Sequence, residues 1–333
     1  MRELVIVIAD LYLSADSAAA VEPSLPAFAR LVRFGERLTL ERGWRQWLAQ
    51  WIGRNDLAHA EPANVVAASR LPEGVAGDAA AWLATPLHLA AGLTTLHFDA
   101  RGILRPPREE LEQLAQDFRH SFRDLGSSLI PLDSREFLLL QPSIPSTLTT
   151  EPARIAGGHV SDALPKGAGA AKLRRLGAEI EMWLHEHPVN RARAGRNELE
   201  ISTLWIWGGG DVASITRSSA STLPRAFGSD SYLSALWQLG GEQIQPLPEQ
   251  LDAAFSYAPA AVLVIEAGRM SSMSVSESLA EVDRRFIAPA VEALRRRDLD
   301  RLSVLVNDRR VVLSSGAHRR FWRRSRPVLE SLR

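Results

Sequence analysis

The chain has no cysteine and almost no lysine. The lack of cysteine excludes disulfide bonds, thiolate metal sites and cysteine nucleophiles, and it leaves the redox state of the compartment open. Lys166 and Lys172 are the only lysines among 39 basic residues, so the others are arginines. Because this bias is typical of GC-rich codon usage, an arginine at any one position is weaker evidence for anion binding than usual.

Net charge and long apolar runs are missing as well. The 39 acidic residues balance the 39 basic ones at pH 7, so no overall field attracts the chain to nucleic acids or membranes. No segment reaches the length of a transmembrane helix, and the apolar run in MRELVIVIAD (1–10) is too short for the core of a signal peptide. We therefore expect a cytoplasmic protein that does not contact a membrane.

Strand and helix patterns alternate along the 333 residues. The runs LVIVIAD (4–10) and AAVLVIEAG (260–268) are apolar and rich in β-branched residues, which is typical of buried strands. Helical spacing follows Pro26 and again precedes Gly126, and LSVLVNDRRVVLSS (302–315) predicts a hairpin. This alternation predicts an α/β fold, a layered sheet with flanking helices.

A change in composition divides the chain. Residues 141–170 are crowded with proline, glycine, serine and threonine, which predicts a loop or a linker between lobes. We therefore expect an N-terminal α/β lobe over residues 1–140 and a C-terminal α/β lobe over residues 171–333, or one composite domain built from both.

An aromatic stripe occurs early in the chain. GWRQWLAQWIGR (43–54) places Trp44, Trp47 and Trp51 on one face of a predicted helix. Aromatic residues at helical spacing more often belong to a core than to a surface that stacks on ligands, so we expect this stripe to be buried.

The C-terminal tail is basic. Residues 295–333 carry twelve arginines and four acidic residues, and RRFWRRSR (319–326) interleaves aromatics with arginines. Such a composition can bind nucleic acid. Because the chain as a whole carries no net charge, we expect instead a solvated helix that Phe321 and Trp322 anchor to the core, and no nucleic-acid partner.

The stretch HEHPVNRARAGRNELEISTLWIWGGG (185–210) is the strongest candidate for a functional site. Pro188 ends a predicted helix, and a predicted strand then leads into three glycines at 208–210. These glycines match neither the G-x-G-x-x-G pattern nor a P-loop, and Asp211 would bring a negative charge close to any phosphate. The residues alone leave two interpretations open, a structural turn and a ligand cradle.

Metal ligands and nucleophiles lack their usual signatures. His185 and His187 are two residues apart, which puts them on opposite sides of a helix, so His187 is better interpreted as a core or capping residue. Neither an H-E-x-x-H nor a G-x-S-x-G motif occurs. Asp10 ends the first predicted strand, where ligands collect in open α/β sheets, and is the one weak candidate for a metal ligand.

The central stretch resembles the RpfE-type regulatory proteins, a bacterial family often described as phosphoglycerate mutase-like. WLATPLHLAAGLTTL (82–96), LPAFARLVRFGER (25–37) and RRFWRR (319–324) share this resemblance. The same stretch is similar to cofactor-independent phosphoglycerate mutases of the archaeal type, which belong to the alkaline phosphatase superfamily. The residues that match the H-P-x-N-x-x-R motif and the W-G-x-G strand end of those enzymes are His187, Pro188, Asn190, Arg193, Trp207, Gly208 and Gly210.

The resemblance implies the α/β core of that superfamily, two divalent metals held by aspartates and histidines, and phosphoryl transfer through serine or threonine. This sequence departs from the pattern at the metal site. VLVIEA (262–267) resembles the strand that leads into an Asp-Glu-x-x-His cluster, but GRMSSMS (268–274) follows it. Asp10 alone matches a first-strand ligand, and one aspartate cannot hold two divalent ions.

We therefore expect a non-catalytic regulatory protein that uses no cofactor. Its expected partner is a small phosphorylated or carboxylate ligand, or another protein. The residues predicted to bind the ligand are Asn190, Arg193, His187, Gly208, Gly209 and Gly210. The alternative is a phosphoglycerate mutase or phosphatase that depends on a divalent metal such as manganese or zinc. In that case four residues would have to converge, namely Asp10, His88, Asp211 and His187.

Overall fold

The computed structural model of the chain describes residues 2–9, 11, 24–72, 79–91, 96–97, 102–155, 160–211, 215–217, 223–249, 251, 259–266, 275–306, 308–317 and 327–332. The strands are β1 (Glu3–Ala9), β2 (Glu36–Thr39), β3 (Ala79–Leu87), β4 (Ala90–Ala91), β5 (Leu96–His97), β6 (Ser128–Pro131), β7 (Phe137–Pro142), β8 (Thr147–Leu148), β9 (Lys166–Gly167), β10 (Thr203–Asp211), β11 (Arg225–Phe227), β12 (Ala260–Glu266), β13 (Arg301–Val306) and β14 (Arg309–Ser314).

The helices flank these strands. They are α1 (Pro26–Phe34), α2 (Gly43–Trp51), α3 (Pro62–Arg70), α4 (Arg108–Ser121), α5 (Pro152–Ile155), α6 (Ala170–His185), α7 (Pro188–Gly195), α8 (Ser231–Leu239), α9 (Val275–Val282), α10 (Ala288–Arg296) and α11 (Val328–Leu332). The predicted α/β class, with sheets and flanking helices, is confirmed. Within the described ranges, no helix is both long enough and apolar enough to cross a bilayer.

The chain divides into two compact units. Unit 1 comprises Met1–Ala58 and Ser218–Arg333, and unit 2 comprises His59–Arg217, so unit 2 is inserted within the sequence of unit 1. The boundaries predicted at residues 140 and 171 do not coincide with this division. The reason is that strand pairing between the two ends of the chain, which composition does not reveal, brings both ends into unit 1.

The segment 141–170, expected as a linker, lies within unit 2 and carries β8, α5 and β9. Two of its threonines hold it to β10, since Thr149 Oγ1 accepts a hydrogen bond from the Gly208 amide (2.9 Å) and the Thr150 carbonyl accepts one from Trp205 Nε1 (2.7 Å). Its turn-rich composition therefore reflects tight local turns within a folded unit.

Unit 1 is built on a sheet with the order β11-β12-β1-β13-β14-β2. β1 lies between β12 and β13 and pairs with both in parallel, with Val5 opposite Val262 and Ser303. Parallel strands are buried on both faces, which explains the continuous apolar runs of β1 and β12. One face packs against α1, α10 and α11 through a large apolar core that includes Leu4, Ile6, Phe28, Leu31, Leu263, Leu294, Val304 and Leu329.

The tryptophan stripe of α2 meets the other face of this sheet. Trp44 is buried and packs edge-on against Tyr232, with 5.9 Å between ring centroids. Trp47 and Trp51 are only half-buried, so the expected core role applies in full to Trp44 alone. The indole Nε1 of Trp51 donates a hydrogen bond to the carboxylate of Glu3 (3.3 Å), which ties α2 to the beginning of β1.

A π-helical turn over Asp283–Ile287 separates α9 from α10. The interruption lies just before Pro289, because a proline ring clashes with the carbonyl four residues earlier. The buried carboxylate of Asp283 accepts hydrogen bonds from the amides of Phe28 (2.6 Å) and Ala27 (3.2 Å), in the first turn of α1. Burial raises the pKa of Asp283, although these amides oppose the shift.

Unit 2 is built on an antiparallel sheet with the order β10-β3-β7-β6. Trp82 on β3 is fully buried, and its neighbours in the core come from the sheet and from α4, α6 and α7, including Leu114, Phe118, Phe137, Leu139, Ile180, Leu184 and Ile206. Phe118 and Phe122 stack with 4.2 Å between centroids, and Trp183 meets both edge-on. This core positions α7 and the beginning of β10, where the sequence predicted a site.

Candidate functional site

The predicted helix end at Pro188 is present, and a second helix begins there. α6 ends at His185 and α7 starts at Pro188, because proline at the first helical position has a suitable φ and no amide to satisfy. His187 is the N-cap of α7, and its Nδ1 accepts a hydrogen bond from the Val189 amide (3.2 Å). His185 is exposed whereas His187 is buried, although the two residues do not belong to one helix, since His187 is the extended cap between α6 and α7.

His187 also faces a carboxylate. Its Nε2 lies 3.2 Å from Asp117 Oδ2, and the Trp183 ring meets the imidazole edge-on at 4.7 Å. Burial is the larger influence and lowers the pKa of His187, although Asp117 acts in the opposite direction. A neutral imidazole whose Nδ1 accepts and whose Nε2 carries the proton fits this environment.

The side-chain amide of Asn190 is buried and hydrogen-bonded within the protein. Its Nδ2 donates to the carbonyls of Leu184 and Ile201, both at 2.8 Å, and its Oδ1 accepts from the Ile201 amide, also at 2.8 Å. Both amide protons are therefore used to join the end of α6 to the segment that precedes β10.

The guanidinium of Arg193 is held in a similar way. Its Nη1 lies 2.7 Å from Glu110 Oε2, and its Nε donates to the Leu199 carbonyl at 2.7 Å. Arg193 and Glu110 are both largely buried, and Arg196 reaches the second oxygen of the same carboxylate. These ion pairs link α7 to α4.

The three glycines accommodate a bulge at the end of β10. The register of β10 against β3 shifts between Trp207 and Gly210. Gly208 has a φ of +61°, and a Cβ at Gly209 would lie 1.9 Å from the Ala81 carbonyl oxygen, whereas a Cβ at Gly210 would meet no atom within 4 Å. The glycines therefore permit a close approach between backbones.

The two halves of the predicted site lie apart. Asn190 contacts Ile201, which precedes β10, whereas Gly208–Gly210 lie at the opposite end of that strand. Seven residues of extended chain span roughly 20 Å. One small anion cannot therefore reach Asn190 and the glycines at the same time, and the ligand-binding role of each residue stays a prediction.

The residues required by the metal-dependent alternative are also dispersed. His88 follows β3 and lies beside the beginning of β10, with Nδ1 2.9 Å from the Glu200 carbonyl oxygen. Asp211 pairs with Ala80 at the other end of the same two strands. Because His88 and Asp211 lie at opposite ends, the expected convergence is not found. Asp10 lies outside the described residues.

The carboxyl end of the parallel strands holds a residue that the sequence reasoning missed. Glu266 is the last residue of β12, is buried, and lies opposite Ala9 in the register. It was overlooked because it ends an apolar run, yet parallel pairing with β1 could have placed it at the end of the sheet where ligands collect. The described part of the chain holds no cluster of three or more histidines and carboxylates. Glu266 by itself does not fit the two-metal centre that the resemblance implies.

A pocket opens elsewhere in unit 1, between α1, α10 and the end of β14. Its volume is about 460 Å³, within the range of small-molecule sites. Phe34, Val291, Leu294 and Leu313 form apolar walls, and Arg30, Arg33 and Arg295 also line it.

The three arginines that line the pocket have different neighbours. Arg295 makes two hydrogen bonds of 2.7 Å to Glu292, and Arg296 shares that carboxylate at 2.9 Å. These hydrogen bonds lower the pKa of Glu292 to about 2, so it is ionised at neutral pH. The guanidinium of Arg33 lies 5.0 Å from the centre of the Phe34 ring. Within the part of the chain that the structure describes, Arg30 has no acidic partner.

The pocket lies at the amino end of the parallel strands. Ser314 lines it and pairs with Arg301, the first residue of β13, which in turn lies opposite Glu3 at the start of β1. Glu266, by contrast, lies at the carboxyl end. The pocket is therefore separate from the position where the resemblance implies a metal centre.

Comparisons with known proteins give distant matches. No family model matches the chain. A stretch of 92 residues is 30% identical to the 2,3-bisphosphoglycerate-independent phosphoglycerate mutase of Methanothrix thermoacetophila. This stretch makes up 28% of this chain and 24% of that enzyme. A stretch of 59 residues is 34% identical to a protein of Geobacter sulfurreducens described as a probable mutase of the same kind, covering 18% of this chain and 15% of the relative.

Two solved structures align with most of the chain at low similarity. The PH0037 protein from Pyrococcus horikoshii aligns with a TM-score of 0.49 and 10% identity over 95% of this chain and 88% of its own. The cofactor-independent phosphoglycerate mutase from Thermoplasma acidophilum aligns with a TM-score of 0.40 and 13% identity over 95% of this chain and 90% of its own. The sequence matches span a quarter or less of the length of the curated relatives. Over that part, the chain is distantly homologous to cofactor-independent phosphoglycerate mutases.

Proposed function

We propose that the chain is a non-catalytic regulatory protein of the RpfE type, which binds a small anion on a phosphoglycerate mutase-like scaffold. The observation that carries this proposal is the pocket of unit 1. Its wall includes three arginines, and Arg30 has no acidic partner within the described ranges. A carboxylate or phosphate would pair with this exposed guanidinium group and accept hydrogen bonds from it.

The sequence after β12 supports the non-catalytic part of the proposal. GRMSSMS (268–274) contains no aspartate, glutamate or histidine, whereas the resemblance implies a cluster of such ligands there. The pocket does not depend on that position, because it lies at the opposite end of the strands. Anion binding could therefore persist after the loss of a metal centre.

The two parts of the proposal are tested with one protein preparation. Conversion of 3-phosphoglycerate to 2-phosphoglycerate is measured with EDTA and with added manganese, and we expect none in either case. Thermal unfolding is then followed in rising concentrations of 3-phosphoglycerate and of inorganic phosphate. A ligand that binds only the native state stabilises it by about 2.7 kcal/mol at a hundredfold excess over Kd.

A matched pair of variants locates the anion. Arg30→Ala should remove the saturable stabilisation, and Arg119→Ala, which deletes an exposed arginine of α4, should retain it. If both variants respond as the wild type does, the pocket is not the anion site. In that case Asn190→Ala and Arg193→Ala test the residues predicted from the sequence.

The second candidate is a metal-dependent phosphoglycerate mutase or phosphatase. The distant homology to such mutases favours it. Turnover that manganese restores and EDTA abolishes would establish it and would overturn the non-catalytic proposal. A protein partner is the remaining possibility for a regulator, and it would be favoured if no anion changed the unfolding temperature.

A further inference from the structure

The chemistry of the pocket walls specifies more about the ligand than its charge. Phe34, Val291, Leu294 and Leu313 line it together with the small side chains of Ala29 and Ala317. Leu294 and Leu313 also belong to the apolar core of unit 1, which places their side chains at the base of the pocket. A hydrated ion such as phosphate would gain nothing from these surfaces, whereas an apolar group would be removed from water.

The size of the pocket points to the same kind of ligand. A volume of about 460 Å³ is far more than a single phosphate or carboxylate group occupies and is typical of sites for complete small molecules. Phosphoglycerate is polar at every carbon, so it would make no apolar contacts with the walls of the pocket. A ligand with a flat or branched apolar body of naphthalene size would use them.

The charge of the pocket favours a ligand that carries an anionic group. Glu292 neutralises one of the two arginines that contact it, Arg295 and Arg296. Arg33 lies in the last turn of α1, and Arg295 in the last turn of α10, where cations also stabilise the helix dipole. Arg30 is one turn earlier in α1, is exposed, and makes no ion pair within the described ranges, so its guanidinium is available to an anionic ligand.

We infer that the pocket between α1, α10 and β14 binds an amphipathic anion, with one carboxylate or phosphate head group at Arg30 and an apolar body against Phe34, Val291, Leu294 and Leu313. This inference rests on the proposed function and specifies its ligand class. The head group faces the arginines, and the body enters the apolar part of the pocket. The site lies at the amino end of β1 and β13, away from the carboxyl end where the resemblance implies a metal centre.

The test uses the full chain and four probes of known chemistry. Isothermal titration calorimetry measures the affinity for 1-naphthyl phosphate, 1-naphthoate, inorganic phosphate and 3-phosphoglycerate. We expect both naphthyl compounds to bind at least about tenfold more tightly than inorganic phosphate, because burial of the ring adds apolar area to the same charge interaction. Comparison of 1-naphthyl phosphate with 1-naphthoate shows whether the site prefers a phosphate or a carboxylate head group.

Two variants separate the head-group site from the apolar site. Arg30→Ala should weaken naphthyl phosphate binding by about tenfold or more, since it removes a charge-assisted hydrogen bond. Ala29 is exposed and lines the pocket, so Ala29→Trp should block the apolar body without truncating the core. It should therefore abolish the preference for naphthyl phosphate over phosphate. Arg119→Ala is the control and should bind as the wild type does.

Each outcome has a distinct meaning. Equal affinity for phosphate and naphthyl phosphate, or naphthyl binding that neither Arg30→Ala nor Ala29→Trp changes, would overturn the inference. Binding of 3-phosphoglycerate or phosphate at Arg30, without binding of either naphthyl compound, would also overturn it but would leave the proposed function standing. If none of the four anions binds, the inference and the anion-binding part of the proposed function fail together.

Discussion

At the scale of single residues, Asn190 shows that a side chain suited to ligand binding can make its hydrogen bonds within the protein instead. We predict that Asn190→Ala lowers the free energy of unfolding by about 2–4 kcal/mol, because the amide and carbonyl of Ile201 and the carbonyl of Leu184 lose their partner. Urea denaturation measures the change. Asn55→Ala removes the same atoms from an exposed turn and should cost less than about 0.5 kcal/mol. Similar costs for the two variants would contradict the assignment.

His187 gives a prediction about pH. Burial lowers its pKa below the ordinary value of 6.5, so the unfolded chain binds a proton more readily than the folded one. The stabilisation by the neutral ring is complete above about pH 6.5 and is lost as the pH falls towards the folded pKa. Protonation also deprives the Val189 amide of its acceptor at Nδ1. We expect His187→Asn, which keeps an N-cap acceptor, to be less sensitive to acid than the wild type between pH 7.5 and 5.5.

Urea unfolding at several pH values checks this prediction. His120→Asn, at an exposed position of α4, serves as the control for the loss of any histidine. If His187→Asn and the wild type lose stability in parallel as the pH falls, titration of His187 does not contribute. Asp117 and Arg191 are the charged groups that influence this imidazole, and they are unchanged in the variant.

Local rules predicted some of these residue roles and missed others. The helix end at Pro188 follows from the backbone preferences of proline, whereas the capping position of His187 depends on where α7 begins. The partner of Asn190 could not be predicted, since Ile201 is eleven residues away across a loop of unknown path. The pocket was missed because arginine is so frequent in this chain that no single arginine stands out.

At the scale of elements, the bulge of β10 depends on one glycine more than on its neighbours. We predict that Gly209→Ala lowers the free energy of unfolding by about 2–3 kcal/mol or more, because its Cβ would overlap the Ala81 carbonyl. Gly210→Ala is the matched control, since its Cβ meets open space, and it should be nearly neutral. Thermal and urea unfolding compare the two. A neutral Gly209→Ala would show that β3 and β10 can separate at this position.

Most helices and strands could be predicted from the sequence, but the way in which they group into units could not. β1, β12, α4, α6 and the β13–β14 hairpin follow from periodicity, proline and glycine. α7 was missed because its eight residues carry little apolar periodicity. The segment 141–170 was interpreted as a linker because composition cannot distinguish an exposed linker from the tight turns of a folded unit.

At the scale of the whole molecule, the inserted unit should be able to fold by itself. Unit 2 has its own antiparallel sheet and its own apolar core. We predict that a fragment of residues 59–217 shows far-ultraviolet circular dichroism of mixed α/β structure and a cooperative thermal transition. A fragment of residues 1–140 should not, because it separates β3 from β10 and β1 from β12 and β13.

The fragment experiment decides between two divisions of the chain. Cooperative unfolding of residues 59–217 alone would support the inserted unit. Cooperative unfolding of residues 1–140 would support the division expected from composition and would contradict the one described above. The sequence could not predict this division, because it depends on which distant strands pair.

The position of β1 in its sheet has a consequence for synthesis on the ribosome. β1 emerges long before its neighbours on both sides, since β12 follows about 260 residues later and β13 about 300 residues later. At about 5–20 residues per second, this apolar strand waits roughly 13–50 s for β12 and roughly 15–60 s for β13. A polypeptide released before residue 260 would contain β1 without either neighbouring strand. We therefore expect incomplete translation products to be targets for chaperones and proteases, even when unit 2 has already folded.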